Sequence, residues 1–181
     1  LIKASFSDGN NCYATTGLSS DNNAPAGKNY SCSYCTLFNC SRSVIKEPTP
    51  ETRENKTIYL VDAREEVNTQ LEIEGGNSNP VEIIQYIHNI KNETTLSIAV
   101  NKYVDLESNA TNVSSVKIII YYQDSEITAL DENRLKIYYY NETSKVWDML
   151  PSTVNVSGNY VSAMVPHLSL YGLFGEPLSS A

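Results

Sequence analysis

Residues 134–174, RLKIYYYNETSKVWDMLPSTVNVSGNYVSAMVPHLSLYGLF, contain the patterns that decide the fold class. Three short strand patterns, at residues 135–140, 145–150 and 160–165, are followed by a final run at residues 168–174. In the first pattern Leu135, Ile137 and Tyr139 alternate with the residues between them. Alternation with a period of two is typical of half-buried β-strands. The turn at residues 141–144 joins the first two stretches into a predicted β-hairpin. This part of the chain is therefore predicted to be antiparallel β-structure.

The same kind of pattern extends upstream of this stretch. Further strand patterns cover residues 57–62, 70–74, 81–88, 96–100 and 116–123. The total, about eight or nine strands, predicts an all-β, two-sheet antiparallel β-sandwich with an N-terminal strand and a disulfide-stapled loop region. Residues 116–122 are apolar on both faces and are predicted to form a central strand. Trp147, the only tryptophan, is predicted to be buried between the sheets beside Tyr139 or Tyr171.

The N-terminal part of the chain has a different composition. Ile2, Ala4 and Phe6 alternate with polar residues and predict one amphipathic strand over residues 1–7. Residues 8–54 are rich in Asn, Gly, Ser and Pro, a composition that buries little apolar area. The prolines at 48 and 50 stiffen the chain. We therefore predict an N-terminal strand and cysteine-containing loop region at residues 1–50 and a β-sandwich domain at residues 51–181.

All four cysteines lie in this N-terminal region, at Cys12, Cys32, Cys35 and Cys40. Four cysteines allow three pairings, and the spacing does not choose among them, so we predict two disulfides of open connectivity. A Cys₄ zinc site and a redox-active Cys-x-x-Cys are the alternatives. The single Cys-x-x-Cys at residues 32–35 lacks a second knuckle, and no βαβ pattern follows it.

Asn-X-Ser/Thr triplets are the strongest compositional signal. There are eight, about twice the number expected by chance from the composition. Their asparagines are Asn29, Asn39, Asn55, Asn92, Asn109, Asn112, Asn141 and Asn155. Triplets of this kind accept N-linked sugar in secreted proteins. We predict exposed positions for all eight, with Asn141 and Asn155 the clearest sites, and an extracellular, secreted or cell-surface location.

Net charge and hydropathy exclude some partners. The formal charge is −8 and the pI is about 4.7, which argues against binding to nucleic acid. No apolar run reaches the roughly 18 residues of a membrane helix, so we expect no transmembrane segment. Because residue 1 is Leu and not Met, we expect that a signal peptide has been removed.

The sharpest candidate for chemistry is the His167-Leu168-Ser169 sequence. A serine hydroxyl beside a strained peptide can attack the preceding carbonyl if a base accepts its proton, so Ser169 is the candidate nucleophile and His167 the candidate base. In the alternative that we favour, His167 packs at a sheet edge and Ser169 begins the last strand. We therefore predict no catalytic residue and a protein that is not an enzyme.

Candidate metal and sugar sites are sparse. His88 and His167 are the only histidines, too few for a convincing metal site. Loop carboxylates offer hard oxygen ligands for calcium, at Asp105, Glu107, Asp124, Glu126, Asp131 and Glu132. No twelve-residue calcium loop is present, so we predict no metal and no cofactor beyond covalent N-glycans. The tyrosines at 121–122 and 138–140 suit either a sugar-stacking face or ordinary strands.

The order of motifs near the C-terminus resembles a known type of module. A Leu-Lys-Ile-Tyr-Tyr-Tyr strand, a turn, Val-Trp, and then His-Leu-Ser-Leu-Tyr before Leu-Phe-Gly are similar to β-sandwich modules of secreted archaeal and bacterial surface proteins. The resemblance covers about residues 115–175. The same stretch is similar to the end of the autoproteolytic GAIN domain of adhesion receptors, in which His-Leu-Ser or His-Leu-Thr marks the cleaved bond. Val161 and Ala163 stand where that motif has cysteines.

These observations favour three functional hypotheses. The first is a non-enzymatic, N-glycosylated structural subunit of an extracellular filament or cell-surface coat, which assembles head-to-tail with copies of itself. Residues 1–7 would then dock Ile2, Ala4 and Phe6 into a neighbouring subunit. In the alternative for this segment, the strand pairs with its own domain. The second is a GAIN-like surface module that cleaves itself between Leu168 and Ser169. The third is a glycan-binding adhesin.

Overall fold

The computed structural model describes residues 3–7, 12–15, 41–76, 79–87, 90–91, 98–165 and 167–178. Within them the chain is mostly β-strand, with one helical turn α1 (Arg64–Val67) and three short 3-10 turns. The strands are β1 (Lys3–Ser7), β2 (Cys12–Thr15), β3 (Ser41–Lys46), β4 (Thr49–Arg53), β5 (Lys56–Ala63), β6 (Thr69–Gly75), β7 (Val81–Tyr86), β8 (Ile98–Ser108), β9 (Val113–Tyr121), β10 (Lys136–Asn141), β11 (Val146–Met149), β12 (Ser152–Asn155), β13 (Tyr160–Val165) and β14 (Leu170–Gly175). No helix in this described part is long and apolar enough to cross a membrane.

Twelve of these strands form two six-stranded sheets. Sheet I has the order β11-β10-β14-β8-β7-β3, and sheet II has the order β12-β13-β9-β6-β5-β4. Every strand pair in both sheets is antiparallel. Aliphatic side chains from both sheets share one buried core, including Ile83, Val104 and Leu173 from sheet I and Leu71, Ile118 and Val161 from sheet II. The predicted two-sheet antiparallel sandwich is therefore confirmed.

Alternating burial explains why these segments become strands. In β6 the side chains of Thr69, Leu71 and Ile73 are buried, while the intervening residues are half-buried. β7 follows the same pattern. An alternating segment buries its apolar side only when a second layer covers that face, so the two sheets stabilise each other. β9 lies between β13 and β6, which confirms the predicted central strand.

The sandwich includes strands on both sides of the predicted division at residue 50. β3 pairs with β7 at the edge of sheet I. β4 pairs with β5 at the edge of sheet II, and all five of its residues are exposed. Pro50 lies in β4, which is consistent with an edge position because proline cannot donate a ladder hydrogen bond. Neither strand was predicted, since both lie in the segment whose composition indicated loops.

The N-terminal strand pairs with a close neighbour in sequence. β1 and β2 form a two-stranded antiparallel sheet of their own, with Lys3 opposite Thr15 and Ala4 opposite Ala14. The predicted strand at residues 1–7 is thus present as β1. The segments 8–11 and 16–40 lie outside the described residues, and with them Cys32, Cys35 and Cys40. The predicted disulfides stay a prediction.

The structure corrects the predicted surroundings of Trp147. Its side chain is buried, with 8% exposed, but it lies on the outer face of sheet I and not between the sheets. Trp147 stands opposite Tyr140 in the β10–β11 pair, whereas Tyr139 and Tyr171 face the inter-sheet core. The indole ring centroid is 5.3 Å from that of Tyr140 and 5.3 Å from that of Phe174.

This outer aromatic cluster is a second buried layer. Tyr103 and Phe174 meet edge to face above Gly172, with ring centroids 5.9 Å apart. A Cβ atom at Gly172 would lie 2.6 Å from the Phe174 ring, so only glycine leaves room for this arrangement. Ile90 packs against the cluster, and the Lys91 ammonium lies 4.8 Å from the Tyr140 ring centroid. The connection between β7 and β8 therefore contributes to covering the cluster.

Lys102 is a charged residue within the sandwich. Its side chain on β8 is 4% exposed, and its Nζ lies 3.1 Å from Oε1 of Glu126. Burial lowers the pKa of Lys102, and the nearby Glu126 carboxylate only partly offsets this effect. The other carboxylate oxygen of Glu126 accepts a hydrogen bond from the Gln123 amide. The ion pair therefore joins sheet I to the connection that follows β9.

The Lys102–Glu126 ion pair predicts different effects of two substitutions on the free energy of unfolding. Glu126→Gln leaves the buried ammonium without a counter-ion and should lower the free energy of unfolding by about 2 kcal/mol or more. Lys102→Met replaces the cation with an apolar side chain of similar volume and should change it by less than about 1 kcal/mol, or raise it. Denaturant unfolding measures both variants. Equal losses in the two would contradict a buried, paired ammonium.

The pH dependence provides an independent check on the same pair. Because the pKa of Lys102 is lower in the folded chain, the unfolded chain binds more protons between the folded and unfolded pKa values. The contribution of Lys102 to the free energy of unfolding should therefore rise with pH across that window. Lys102→Met removes this contribution, so the difference between wild type and variant should change with pH. A constant difference up to the ordinary lysine pKa would rule out the lowered value.

Candidate functional site

The candidate site from the sequence lies in the turn between β13 and β14. His167 is exposed, while Leu168 and Ser169 are half-buried. The Tyr171 hydroxyl donates a hydrogen bond to the His167 carbonyl oxygen. The Ser169 carbonyl oxygen accepts a hydrogen bond of 3.1 Å from the Leu106 amide on β8. The turn is thus attached to sheet I on both sides of the peptide that self-cleavage would break.

The two candidate catalytic side chains are not arranged as base and nucleophile. Nδ1 of His167 lies 3.4 Å from the carbonyl oxygen of Leu168. The imidazole ring also packs edge to face on the Tyr139 ring, with centroids 5.7 Å apart. Among the described residues, His167 makes no hydrogen bond to the Ser169 hydroxyl. His167 therefore contacts the carbonyl that would be attacked and not the hydroxyl that would attack it.

Residues 167–169, the described part of this turn, have no left-handed backbone. The described non-glycine residues with positive φ are Glu54, Asn55, Asn68, Asn101, Asn112, Lys145 and Asn159. No described peptide bond is cis. Self-cleavage by a hydroxyl needs strain at the attacked peptide as well as a base. The structure therefore gives His167 and Ser169 contacts that suit the packing alternative.

No protein-family model and no curated protein matches this chain.

A polar network next to His167 was not predicted from the sequence. The Asn141 Nδ2 group donates hydrogen bonds to the Tyr139 hydroxyl, at 3.1 Å, and to Oδ2 of Asp148, at 3.0 Å. Hydrogen bonding to Asp148 raises the pKa of Tyr139. The cross-strand register between β10 and β11 brings these side chains together, because Tyr139 stands opposite Asp148. The β10–β11 hairpin itself could be predicted from the sequence. Its register, on which this network depends, could not be predicted from composition.

Three of the predicted sugar-acceptor asparagines are exposed on turns. Asn55 lies between β4 and β5, and Asn109 and Asn112 lie between β8 and β9. Asn55 and Asn112 have left-handed backbones, with φ values of 64° and 58°. Asparagine tolerates this conformation better than most residues, which explains its place in these tight turns.

Two further acceptor asparagines are half-buried and hydrogen-bonded. Oδ1 of Asn141 accepts from the amides of Thr143, at 3.0 Å, and Ser144, at 3.2 Å. Oδ1 of Asn155 accepts from the Gly158 amide, at 2.8 Å, and its Nδ2 donates to the Tyr160 hydroxyl, at 2.9 Å. Both side chains therefore stabilise turns. Asn29, Asn39 and Asn92 lie outside the described residues, and their predicted exposure stays a prediction.

The candidate calcium ligands already have other partners or stand apart. Glu126 pairs with Lys102, and Glu132 accepts a hydrogen bond from the Tyr122 hydroxyl. Asp124 accepts one from Nδ2 of Asn159. Burial, followed by repulsion from Glu107, raises the pKa of Asp105. Across the described ranges, no three His, Cys, Asp or Glu side chains are grouped to hold a metal ion. His88 lies outside those ranges.

The tyrosines are divided between surfaces. Tyr121 lies on sheet II with its ring centroid 5.4 Å from that of Tyr160, whereas Tyr122 is buried. Tyr138 and Tyr140 belong to the outer aromatic cluster of sheet I. Tyr139 points to the opposite face of that sheet. A single sugar-stacking face made of all these tyrosines is therefore not formed.

The geometry of the turn predicts that the chain stays intact. The denatured full-length protein should show one mass, without a C-terminal piece starting at Ser169, because no base among the described residues is in hydrogen-bond contact with the serine hydroxyl. Mass spectrometry of freshly purified protein and of protein incubated for days measures this. Ser169→Ala is the matched control, and its mass pattern should equal that of wild type. A piece starting at Ser169 that is absent from this variant would establish self-cleavage.

Proposed function

We propose that this chain is a non-enzymatic, N-glycosylated structural subunit of an extracellular filament or cell-surface coat. The observation that carries the proposal is the exposure of Asn55, Asn109 and Asn112 on turns of the sandwich. Each begins an Asn-X-Ser/Thr triplet, and a bulky sugar needs a surface position of this kind. A chain that offers several such positions suits an exposed extracellular protein.

A β-sandwich is also a suitable building block for an assembly. Its two sheets end in four edge strands, β3 and β11 in sheet I and β4 and β12 in sheet II. Edge strands carry backbone donors and acceptors that another strand can pair with. A subunit that supplies one strand and accepts one elsewhere makes a head-to-tail contact, which repeats into a fibre unless the rotation closes a ring.

The N-terminal strand is the segment that we propose for this contact. β1 pairs with β2 in a sheet separate from the sandwich. A two-stranded hairpin alone is marginally stable in water, so β1 gains by adding to a further sheet edge. Burial of Ile2 and Phe6 in a neighbouring subunit would add about 1.5 to 3 kcal/mol each. Exchange of residues 1–7 between subunits therefore offers a source of assembly energy.

Deletion of residues 1–7 tests this contact. The truncated chain should remain folded but should no longer form the assembly of the full chain, because the donated strand is missing. Light scattering and electron microscopy measure assembly, and circular dichroism measures the fold.

Matched point variants separate apolar burial from chain length. Ile2→Ser with Phe6→Ser should lose assembly as the deletion does. Lys3→Ser with Ser5→Ala alters the other face of the same strand and should assemble as wild type does. If the truncated chain assembles as the full chain does, strand exchange through this segment is wrong.

A further inference from the structure

We infer that N-linked sugar is confined, among the described acceptor triplets, to one end of the sandwich, at Asn55, Asn109 and Asn112. Asn141 and Asn155 act instead as fixed turn caps and stay without sugar. This inference rests on the proposed glycosylation of the chain. It reverses the expectation from the sequence, in which Asn141 and Asn155 were the clearest sites.

The three open sites lie at the same end because their turns are in contact. Lys56, next to Asn55, forms a 2.7 Å ion pair with Glu74 near the end of β6. The Ser114 hydroxyl, from the Asn112 triplet, donates a 2.7 Å hydrogen bond to the Glu74 carbonyl oxygen. Glu74 therefore links the turn that carries Asn55 to the turn that carries Asn112.

Gly75 allows this close approach. It has a φ of 76°, and a Cβ atom on it would lie 2.9 Å from the Asn112 carbonyl oxygen. Nδ2 of Asn79, on the connection that follows β6, donates a 3.0 Å hydrogen bond to the carbonyl oxygen of Asn109. The turns after β4, β6 and β8 therefore form one surface. The backbone of the open sites is fixed by these contacts, while the side chains of Asn55, Asn109 and Asn112 are exposed.

The side-chain amide of Asn141 is fully hydrogen-bonded, and we call such an acceptor site closed. Both acceptors of Nδ2, the Tyr139 hydroxyl and the Asp148 carboxylate, lie within 3.1 Å. An amide nitrogen carries two hydrogens, so these two bonds use both of them. Its Oδ1 accepts from Thr143 and Ser144, which closes the turn between β10 and β11. No hydrogen of this amide is available for substitution in the folded chain.

Asn155 is closed in a different way. Its Nδ2 donates to the Tyr160 hydroxyl, and its Oδ1 accepts from the Gly158 amide. The Ser157 hydroxyl, the third position of the same triplet, donates a 2.9 Å hydrogen bond to that Oδ1. The Ser157 hydroxyl and the Asn155 side-chain amide are therefore hydrogen-bonded to each other. The Asn155 amide is also hydrogen-bonded to Gly158 and Tyr160 of the turn. At Asn112, by contrast, the triplet serine bonds to Glu74 and not to the asparagine.

The chemistry explains why a bonded amide is a poor acceptor. A glycosyl group is transferred from a lipid-linked sugar phosphate to Nδ2. The bond between the sugar C1 and the phosphate oxygen breaks, and the lipid phosphate leaves with the electron pair. A C1–Nδ2 bond forms, and one Nδ2 proton passes to a base of the transferring enzyme or to water. At Asn141 this proton is one that already bonds Tyr139 or Asp148, so transfer costs a native hydrogen bond. At the exposed asparagines no such bond among the described residues is lost.

The distribution marks one end of the subunit. Among the described triplets, sugar covers the end formed by the turns after β4, β6 and β8 and is missing from the 155–160 turn. A bulky glycan excludes protein from the surface that it covers. Contacts between subunits should therefore avoid this sugar-covered end and use the sheet faces or the edge strands. This surface assignment does not depend on which strand is exchanged.

Site-specific glycopeptide mass spectrometry of the protein from its natural source tests the inference. Asn55, Asn109 and Asn112 should each carry sugar at roughly severalfold higher occupancy than Asn141 and Asn155. Transfer at Asn141 costs a native hydrogen bond, and the Asn155 amide is held in its turn by Tyr160 and Gly158. A triple variant, N55Q/N109Q/N112Q, should lose glycan mass. The matched double variant, N141Q/N155Q, should keep the glycan mass of wild type.

The outcomes distinguish this inference from the proposed function. Sugar at Asn141 or Asn155 at an occupancy equal to the open sites overturns the inference and leaves the proposed glycoprotein intact. A protein without sugar at any site overturns both. To separate folding from occupancy, N141Q/N155Q should also unfold at lower denaturant concentration than N109Q does, since only the former loses turn caps and Asn109 has no left-handed backbone. Equal midpoints would contradict the capping role.

Discussion

Apolar burial between sheet I and sheet II is the interaction on which the rest of the structure depends. Side chains such as Leu71, Ile83 and Ile118 are fully buried only because each sheet covers the other. The alternation along β6, β7 and β9 fixes which residues face inward, and a register slip of one residue would expose them all. The same constraint places the turns at the two ends. The exposure of Asn55, Asn109 and Asn112 follows from it, because these residues occupy turns that the packed strands leave at the surface.

The outer face of sheet I is also covered and is not fully exposed to solvent. Tyr103, Tyr140, Trp147 and Phe174 form a buried aromatic layer there. Gly172 makes the layer possible because its missing side chain leaves space for two rings. The indole nitrogen of Trp147 is buried without a hydrogen-bond partner among the described residues.

Most strands with apolar or aromatic patterns were predictable, whereas the edge strands β3, β4 and β12 were not. The patterns at residues 57–62, 70–74, 160–165 and 168–174 correspond to β5, β6, β13 and β14. β4 and β12 were missed because they are short edge strands that are mostly exposed or half-buried, so their sequences carry no apolar alternation. Trp147 was placed on the wrong face because alternation shows that neighbouring residues point to opposite sides but not which side is covered. At the candidate site, the acceptor triplets could be read directly. The hydrogen bonds of Asn141 could not, because they depend on the register that brings Tyr139 and Asp148 beside it.

The proposed role requires a subunit that is useful only in contact with its copies. Its sandwich offers edges, and its N-terminal hairpin lies in a sheet of its own. Sugar on the turns with exposed acceptor asparagines, as proposed, would restrict where neighbours can approach. Electron microscopy of the native material at its natural concentration tests this account most directly. The account predicts continuous filaments or a coat with a regular subunit repeat. Micrographs that show only isolated particles would contradict it.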